Sequence, residues 1–223
     1  MDRHGTFPGR VPGVSTVGHR EPRRDRLRRA SAASHEDFEA RLAAAGCFDS
    51  LDGYARYLAA VAPLYVALEG TLDVAGIGRL LPDWARRRKA ELFAADLRAL
   101  SAAGANVPAP CPAPEDGLPP RWHAGAALAA LYVLEGTTRG GTVPARRVRR
   151  FGLTRERGAA SLAPCGPARG AMWRGFLGVF EGAALTPEEA DLGSRAVAVF
   201  ALFAARVPAP VTATPLRPHP VRA

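Results

Sequence analysis

The chain has 223 residues, of which 48% are hydrophobic and 23% charged, and its formal net charge is +9. This length suits one domain with a well-filled core, and no apolar run reaches the roughly 20 residues that a membrane-spanning helix needs. The three cysteines are far apart and form no CxxC pair, so they indicate neither a disulfide framework nor a zinc site. Residues 1–26 lack the apolar segment of a signal peptide, and we therefore expect a cytoplasmic protein.

The positive charge raises the question of nucleic-acid binding. Lys89 is the only lysine and every other cation is an arginine, which together with abundant Ala, Gly and Pro indicates a compositional bias. No aromatic residues alternate with the basic runs as a base-stacking surface would require. We interpret the basic runs at 20–29, 86–89 and 139–157 mainly as solvated faces, with a basic rim for an anionic ligand or a partner protein as the alternative.

The first half of the chain predicts three helices after a disordered tail at residues 1–22. The first helix carries residues at spacings of three and four on one face: Leu27, Ser31, His35, Phe38 and Leu42. Asp49 or Ser50 caps the second helix. Its apolar stripe is Leu51, Tyr54, Leu58, Val61, Tyr65 and Leu68. A third helix is predicted to open near Pro82 and to end at Leu100.

The second half predicts three more helices after a proline-rich connection at 104–120. The fourth helix runs from about Trp122 into glycines 136, 140 and 141, and a short basic continuation follows at 143–151. The fifth helix spans 172–180, and a capping box at 186–189 opens the sixth. Residues 208–223 are predicted to be a disordered, proline-rich tail. Because no segment alternates with period two, the sequence predicts one all-α domain at 23–207.

His35 is the first candidate for chemistry, because it lies on the apolar face of the first predicted helix. A histidine there is either a core residue or a metal ligand. Glu39 follows one turn later and could accept a hydrogen bond from the ring nitrogen that does not face the metal, which would fix the tautomer. The same His–Glu spacing is also common as ordinary helix-surface stabilisation.

The second candidate is the segment at 132–141, where Gly136 and Gly140 lie one turn apart on one helix face. Each glycine inside a helix costs about 1 kcal/mol relative to alanine. The segment is therefore either a helix end that runs into a loop, or a bent helix whose backbone contacts a flat ligand where side chains would take up the ligand's space.

These segments resemble motifs of a known family. Residues 27–39, with His35, resemble the proximal-helix motif of haem oxygenases, and residues 132–141 resemble the distal-helix motif of their bacteriophytochrome-associated branch. The Trp173-Arg174-Gly175-Phe176 segment also fits, so that the resemblance covers about residues 25–206.

The resemblance implies a single-domain helical fold that binds haem b between a proximal helix and a kinked distal helix. It implies that the enzyme cleaves haem, its substrate and cofactor, at a meso carbon to biliverdin, ferrous iron and carbon monoxide. O2 and electrons from a ferredoxin or flavoprotein reductase are required, and a bacteriophytochrome is the implied acceptor of the bilin. No CxxCH occurs, so the haem would be held non-covalently.

The resemblance also assigns roles to residues. His35 becomes the axial ligand of the haem iron. Arg28 and Arg174 match positions that place cations toward the haem propionates, which guanidinium groups suit. The remaining expected site residues are Glu39 and Tyr132 at the haem, and Gly136, Thr137, Gly140 and Gly141 on the distal side. The glycines leave no strong acid–base side chain there, so protons would come from ordered water held by backbone groups and by Thr137.

The sequence departs from the family pattern at several positions. Thr137 replaces the usual serine or aspartate, Arg139 stands where leucine is common, and Thr142 stands where glutamine is. Pro144 lies where the distal helix normally continues, and it removes the N–H that would bond to the Gly140 carbonyl. We expect that carbonyl to be free to hold a distal water.

Other functions fit the sequence less well, with one exception. A di-iron carboxylate protein would need several Glu-x-x-His pairs, and the sequence contains none. Nucleic-acid binding lacks an aromatic platform. A haem carrier that ligates haem without turning it over would use the same histidine, so this alternative stays open.

Overall fold

The computed structural model describes residues 21–112, 118, 122–187 and 190–209. Nearly all of both predicted tails lies outside these residues. Within the described part, regular structure is confined to 3₁₀ turns and the α-helices α1 Arg23–Ala44, α2 Leu51–Val74, α3 Ile77–Leu80, α4 Ala90–Ala102, α5 Ala124–Gly140, α6 Thr142–Val148, α7 Arg169–Gly182 and α8 Leu192–Ala204. No β-strand occurs among these residues, so the predicted all-α fold is confirmed.

Helix α2 forms the centre of the core. It begins where the Ser50 hydroxyl accepts a hydrogen bond from the Gly53 N–H at 2.9 Å, so Ser50 rather than Asp49 is the cap. Its apolar stripe is completely buried at Leu58, Val61 and Leu68. In the described part of the chain, α2 alone is long and apolar enough to cross a membrane, and more than half of its apolar segment is buried within the protein, as in a core helix.

Helix α8 holds the two functionally interesting helices together. It packs against α1 on one side and α5 on the other, while α7 also contacts both. Aromatic rings make this junction: Phe203 of α8 lies 5.9 Å from Phe38 of α1 and 5.4 Å from Tyr65 of α2, measured between ring centroids. The packing fixes α1 and α5 relative to the core and to each other.

The third predicted helix is wrong in its first half. Pro82 does not open a helix; the chain passes through a 3₁₀ turn at Trp84–Arg86, and α4 begins only at Ala90. The physical reason is a distant carboxylate, because Glu69 of α2 accepts the backbone N–H groups of Lys89 at 2.6 Å and of Ala90 at 3.3 Å. These donors are left unsatisfied at a helix N-terminus, so Glu69 sets where α4 begins.

The predicted start of the last helix is also wrong. Helix α8 begins at Leu192, and the carboxylate of Asp191 accepts the Ser194 N–H at 3.3 Å. Of the expected capping box at 186–189, Thr186 and Pro187 precede the helix, while the two glutamates lie outside the described residues. Asp191 provides the cap that the sequence pattern assigned to Thr186.

Candidate functional site

Helix α5 has one face of bare backbone. The residues on its other sides, such as Leu131, Leu134 and Thr138, are buried in the protein. A Cβ built on Gly136 or on Gly140 would meet no atom within 4 Å, so protein packing does not require glycine at either position. Each glycine weakens the helix by about 1 kcal/mol relative to alanine. This cost indicates that the open surface beside the two glycines has a function other than packing. A flat ligand could lie directly against this backbone.

Gly141 has a different reason to be glycine. It is buried, and a Cβ there would lie 2.2 Å from the backbone oxygen of Leu162. Packing against Leu162 is therefore sufficient to require glycine here, and the expected place of Gly141 on the ligand face stays a prediction. The helix is interrupted at this point, because α5 ends at Gly140 and α6 begins at Thr142.

Pro144 lies in the first turn of α6, where proline displaces no hydrogen bond within that helix. The first bond of α6 runs from the Ala145 N–H to the Gly141 carbonyl at 2.9 Å. The role that we expect for the Gly140 carbonyl stays a prediction.

His35 lies at the edge of the buried stripe of α1 and not on it. Its side chain is 52% exposed, and its ring meets Phe200 of α8 edge-on, with centroids 5.6 Å apart. At about 100° per residue, Phe38 lies about 20° from Leu27 around the helix, whereas His35 lies about 80° away. The expectation that His35 is on the buried face is wrong for this reason. The imidazole is instead accessible from outside the core.

The predicted hydrogen bond between His35 and Glu39 is absent. The Nε2 atom of His35 lies 3.6 Å from the Glu39 carboxylate, which is too long for a hydrogen bond. Both side chains are more than half exposed. Glu39 therefore does not fix the tautomer of the imidazole in this structure.

Arg28 of α1 lies close enough to Tyr132 of α5 for its charge to act on the tyrosine. Burial raises the pKa of the Tyr132 hydroxyl, and the charge of Arg28 counteracts that rise. The Tyr132 ring packs among aromatic residues of α7, 5.9 Å from Trp173 and 5.5 Å from Phe180. Tyr132 thereby sets the position of α7 beside the glycine face.

Arg174 is exposed on α7, and no contact brings it to the other predicted site residues. Two other arginines line a cleft of about 260 Å³ together with Thr142, Gly170 and Trp173. The Arg139 guanidinium stacks on the Trp173 ring at 5.5 Å, and Arg169 donates a hydrogen bond to the Thr142 hydroxyl at 2.7 Å. In a chain with so many arginines, sequence reasoning had no signal for Arg169.

Behind α5 lies a cluster of buried charges that sequence reasoning missed. Arg87 forms an ion pair with Glu135 at 3.0 Å, and it donates two hydrogen bonds to Asp83 at 2.8 and 2.7 Å. Burial raises the pKa of Glu135, and the charge of Arg87 counteracts this effect. We call this group and the adjoining Lys89 the charge cluster. Its members come from α5 and from the irregular segment before α4.

Lys89 joins the charge cluster to Thr137. Only 3% of the residue is exposed. Its Nζ atom donates hydrogen bonds to the Thr137 hydroxyl at 2.9 Å and to the Leu134 carbonyl at 3.4 Å. Burial lowers the pKa of Lys89 to about 8, and the carboxylates of Glu135 and Glu69 counteract this fall.

The Thr137 hydroxyl is already saturated with protein partners. It donates to the Leu134 carbonyl at 2.7 Å, receives the Lys89 bond, and lies 2.7 Å from the Tyr65 hydroxyl. A hydroxyl has one proton and two lone pairs. Thr137 is therefore part of a protein network, in contrast to the open water-holding role expected from the sequence.

No alternative metal centre is visible in the described ranges. They contain no group of three or more His, Cys, Asp or Glu side chains that could hold a metal ion. The Nδ1 atom of His123 accepts the Ala126 N–H at 3.3 Å and so caps α5. A ligand role for His123 would compete with this cap.

No family model and no curated protein matches the sequence. Among solved structures, the fold is similar to that of the haem oxygenase from Neisseria meningitidis, studied in NO- and CO-bound forms, with 23% identity over 84% of this chain and 91% of that chain and a TM-score of 0.73. It is also similar to haem oxygenase 2 from Chlamydomonas reinhardtii, solved without haem, with 26% identity over 86% of this chain and 100% of that chain and a TM-score of 0.62. The helices thus adopt the all-α fold of haem oxygenases.

Proposed function

We propose that the protein is a haem oxygenase that cleaves haem at a meso carbon to biliverdin, ferrous iron and carbon monoxide. The observation that carries the proposal is the pair Gly136 and Gly140, whose missing side chains leave open space on a helix that is packed on its other sides. The similar solved structures, both of haem oxygenases, support the same activity.

The residues present fit a haem. His35 offers an accessible imidazole on α1, the usual nitrogen ligand for haem iron. The bare backbone at Gly136 and Gly140 suits close approach of a flat macrocycle, which a Cβ would obstruct. When bound, haem supplies the iron that binds O2 and the ring carbon that is oxidised.

Arginines suit the acidic edge of that ligand. Arg28, whose charge acts on Tyr132, would face the carboxylate groups of the substrate, and Arg174 would have the same role from α7. Arg139 and Arg169 line the neighbouring cleft and extend the positive charge along this edge. A guanidinium binds a carboxylate with two parallel hydrogen bonds, so these side chains would orient the substrate within the site.

The distal residues act mainly by what they exclude. Gly136 and Gly140 place no acid or base above the substrate, so no side chain there can promote a competing reaction. Thr137 is the hydroxyl nearest to this face in sequence, and its partners Lys89 and Tyr65 hold it in place. Because that hydroxyl is already saturated, protons would reach the site through water held by backbone groups.

The partners follow from the chemistry. The reaction needs O2 and an external electron donor, and we propose a ferredoxin or a flavoprotein reductase that docks on a basic rim. The resemblance of residues 132–141 to the bacteriophytochrome-associated branch supports a phytochrome as the acceptor of the bilin. We place the reaction in the cytoplasm.

The test is to mix the purified protein with hemin, add a reductant in air, and follow bilin absorption and carbon monoxide release. Gly140→Leu should still bind hemin but lose bilin formation, because its side chain would enter the open space above the backbone. Gly178→Leu is the matched control, since a Cβ at Gly178 of α7 also meets no atom within 4 Å. A parent protein that retains hemin for hours under these conditions, with neither product detected, would instead be a haem carrier.

A further inference from the structure

The imidazole of His35 has two neighbours of different chemistry. The Glu39 carboxylate lies 3.6 Å from Nε2, too far for a hydrogen bond. The ring of Phe200 on α8 meets the imidazole edge-on, with the two centroids 5.6 Å apart and the two planes at 88°. A metal-ligating histidine usually has its ring orientation fixed by a hydrogen bond from its second nitrogen. In this structure an aromatic contact lies where that constraint is needed.

The Phe200 ring is itself held in place. It is 6% exposed, and its centroid lies 6.5 Å from that of Phe38. His35 and Phe38 are three residues apart on α1 and therefore neighbours on the helix surface. Phe200 packs against both of them, with Phe38 on the buried side and His35 on the exposed side. The imidazole thus meets a side chain that is fixed from behind.

The distance between Phe200 and α1 is also fixed by the packing of the two helices. Before Phe200 in α8, a Cβ on Gly193 would lie only 2.8 Å from the Cβ of Ala30. The missing side chain lets α8 approach α1 closely there. After Phe200, Phe203 contacts Phe38 with ring centroids 5.9 Å apart. Phe200 lies between these two contacts, so it cannot withdraw from His35 without moving α8.

We propose that Phe200 is a positioning residue for His35, which fixes the plane of the imidazole by an edge-on contact. This inference rests on the proposed function, in which His35 binds the iron. The χ2 torsion of histidine is broad, so a half-exposed ring without this neighbour would turn. An edge-to-face pair favours the contacting orientation roughly 2- to 12-fold. A ligand that is already oriented loses less freedom on binding, so Phe200 should strengthen haem binding.

The first experiment uses the haem-free protein and measures no activity. Protein labelled with ¹³C-histidine gives ring signals from five histidines, and His35→Ala identifies the one that belongs to His35. Its ring C–H order parameter should be about 0.8 in the parent and fall below about 0.6 in Phe200→Leu. Phe203→Leu is the matched control, because Phe203 contacts Phe38 and Tyr65 one turn further along α8. It should leave the His35 order parameter unchanged.

The second experiment uses the ferric hemin complex with added cyanide. The NMR shifts of the haem methyl groups in such complexes depend on the plane of the axial imidazole. Phe200→Leu should change these shifts and weaken hemin binding about threefold to tenfold. Phe200→Tyr keeps an aromatic ring and should keep the parental shifts and affinity. Phe203→Leu removes a ring of the same size that is 1% exposed, and it should also keep the parental shifts.

The outcomes separate the two proposals. A parent order parameter below about 0.6, or one that Phe200→Leu does not lower, would overturn the inference whatever the protein catalyses. Methyl shifts that change equally in Phe203→Leu would also overturn it, because a general loosening of α8 would explain them. A parent that binds no hemin would overturn the proposed function, while the order parameter still decides whether Phe200 fixes the imidazole. The parent measurement needs no variant that folds.

Discussion

The two sides of helix α5 are built in opposite ways. On one side Gly136 and Gly140 present bare backbone, and a Cβ added at either position would meet no atom within 4 Å. On the other side Glu135 and Thr137 enter a dense group of buried charges with Arg87 and Lys89. The open side can accept a ligand because the closed side holds the helix in place. Substitutions on the two sides should therefore have separable effects on ligand binding and on stability.

The largest effect is expected on the open side, at His35. We predict that His35→Ala abolishes the spectrum of histidine-ligated ferric haem, because the imidazole is the proposed axial ligand. Added imidazole should restore that spectrum in part. His123→Ala is the control and should keep it, since His123 caps α5. An unchanged spectrum in His35→Ala would remove this assignment and make His123 the candidate.

The closed side should dominate stability. Arg87→Met leaves the buried Glu135 carboxylate without its ion-pair partner, and the loss of one partner from a buried pair typically costs about 3 kcal/mol or more. Urea unfolding measures this free energy. Arg41→Met removes an exposed pair with Asp37 and should leave stability nearly unchanged, because solvent screens such pairs. Equal losses in the two variants would mean that the charge cluster does not stabilise α5.

Gly141 lies at the boundary between the two sides. Gly141→Ala should destabilise the protein by about 2 kcal/mol, because the added Cβ would lie 2.2 Å from the Leu162 backbone oxygen and the chain would have to shift. Thermal or urea unfolding provides the measurement. In the control Gly178→Ala the new Cβ meets no atom within 4 Å, so stability should not fall. A Gly141→Ala protein as stable as the parent would contradict the packing role.

The smallest expected change in stability is a gain rather than a loss. Gly136→Ala should stabilise the haem-free protein by about 1 kcal/mol, since alanine favours the helix and its Cβ enters open space. The same variant should bind hemin more weakly or form bilin more slowly, because that space belongs to the ligand in our proposal. Stabilisation with unchanged hemin binding and bilin formation would separate the glycine face from the site.

Much of the helical framework was predictable from residue spacing. Periodic apolar residues located α1, α2, α5 and α7, and a serine before an apolar stripe located the cap of α2. The bare face of α5 was also predictable, because two glycines one turn apart in a helix are costly and therefore informative. Such patterns are local, so they can be recognised before any tertiary contact is known.

Contacts between residues distant in the chain set the remaining features. Glu69 sets the start of α4 from 20 residues away, and Leu162 gives Gly141 its packing role. Lys89 stood out only as the single lysine of the chain, and its partner Thr137 lies 48 residues further on. Sequence spacing shows which side chains share a helix face. It does not show which distant carboxylate, carbonyl or hydroxyl will meet that face, because folding brings those groups together.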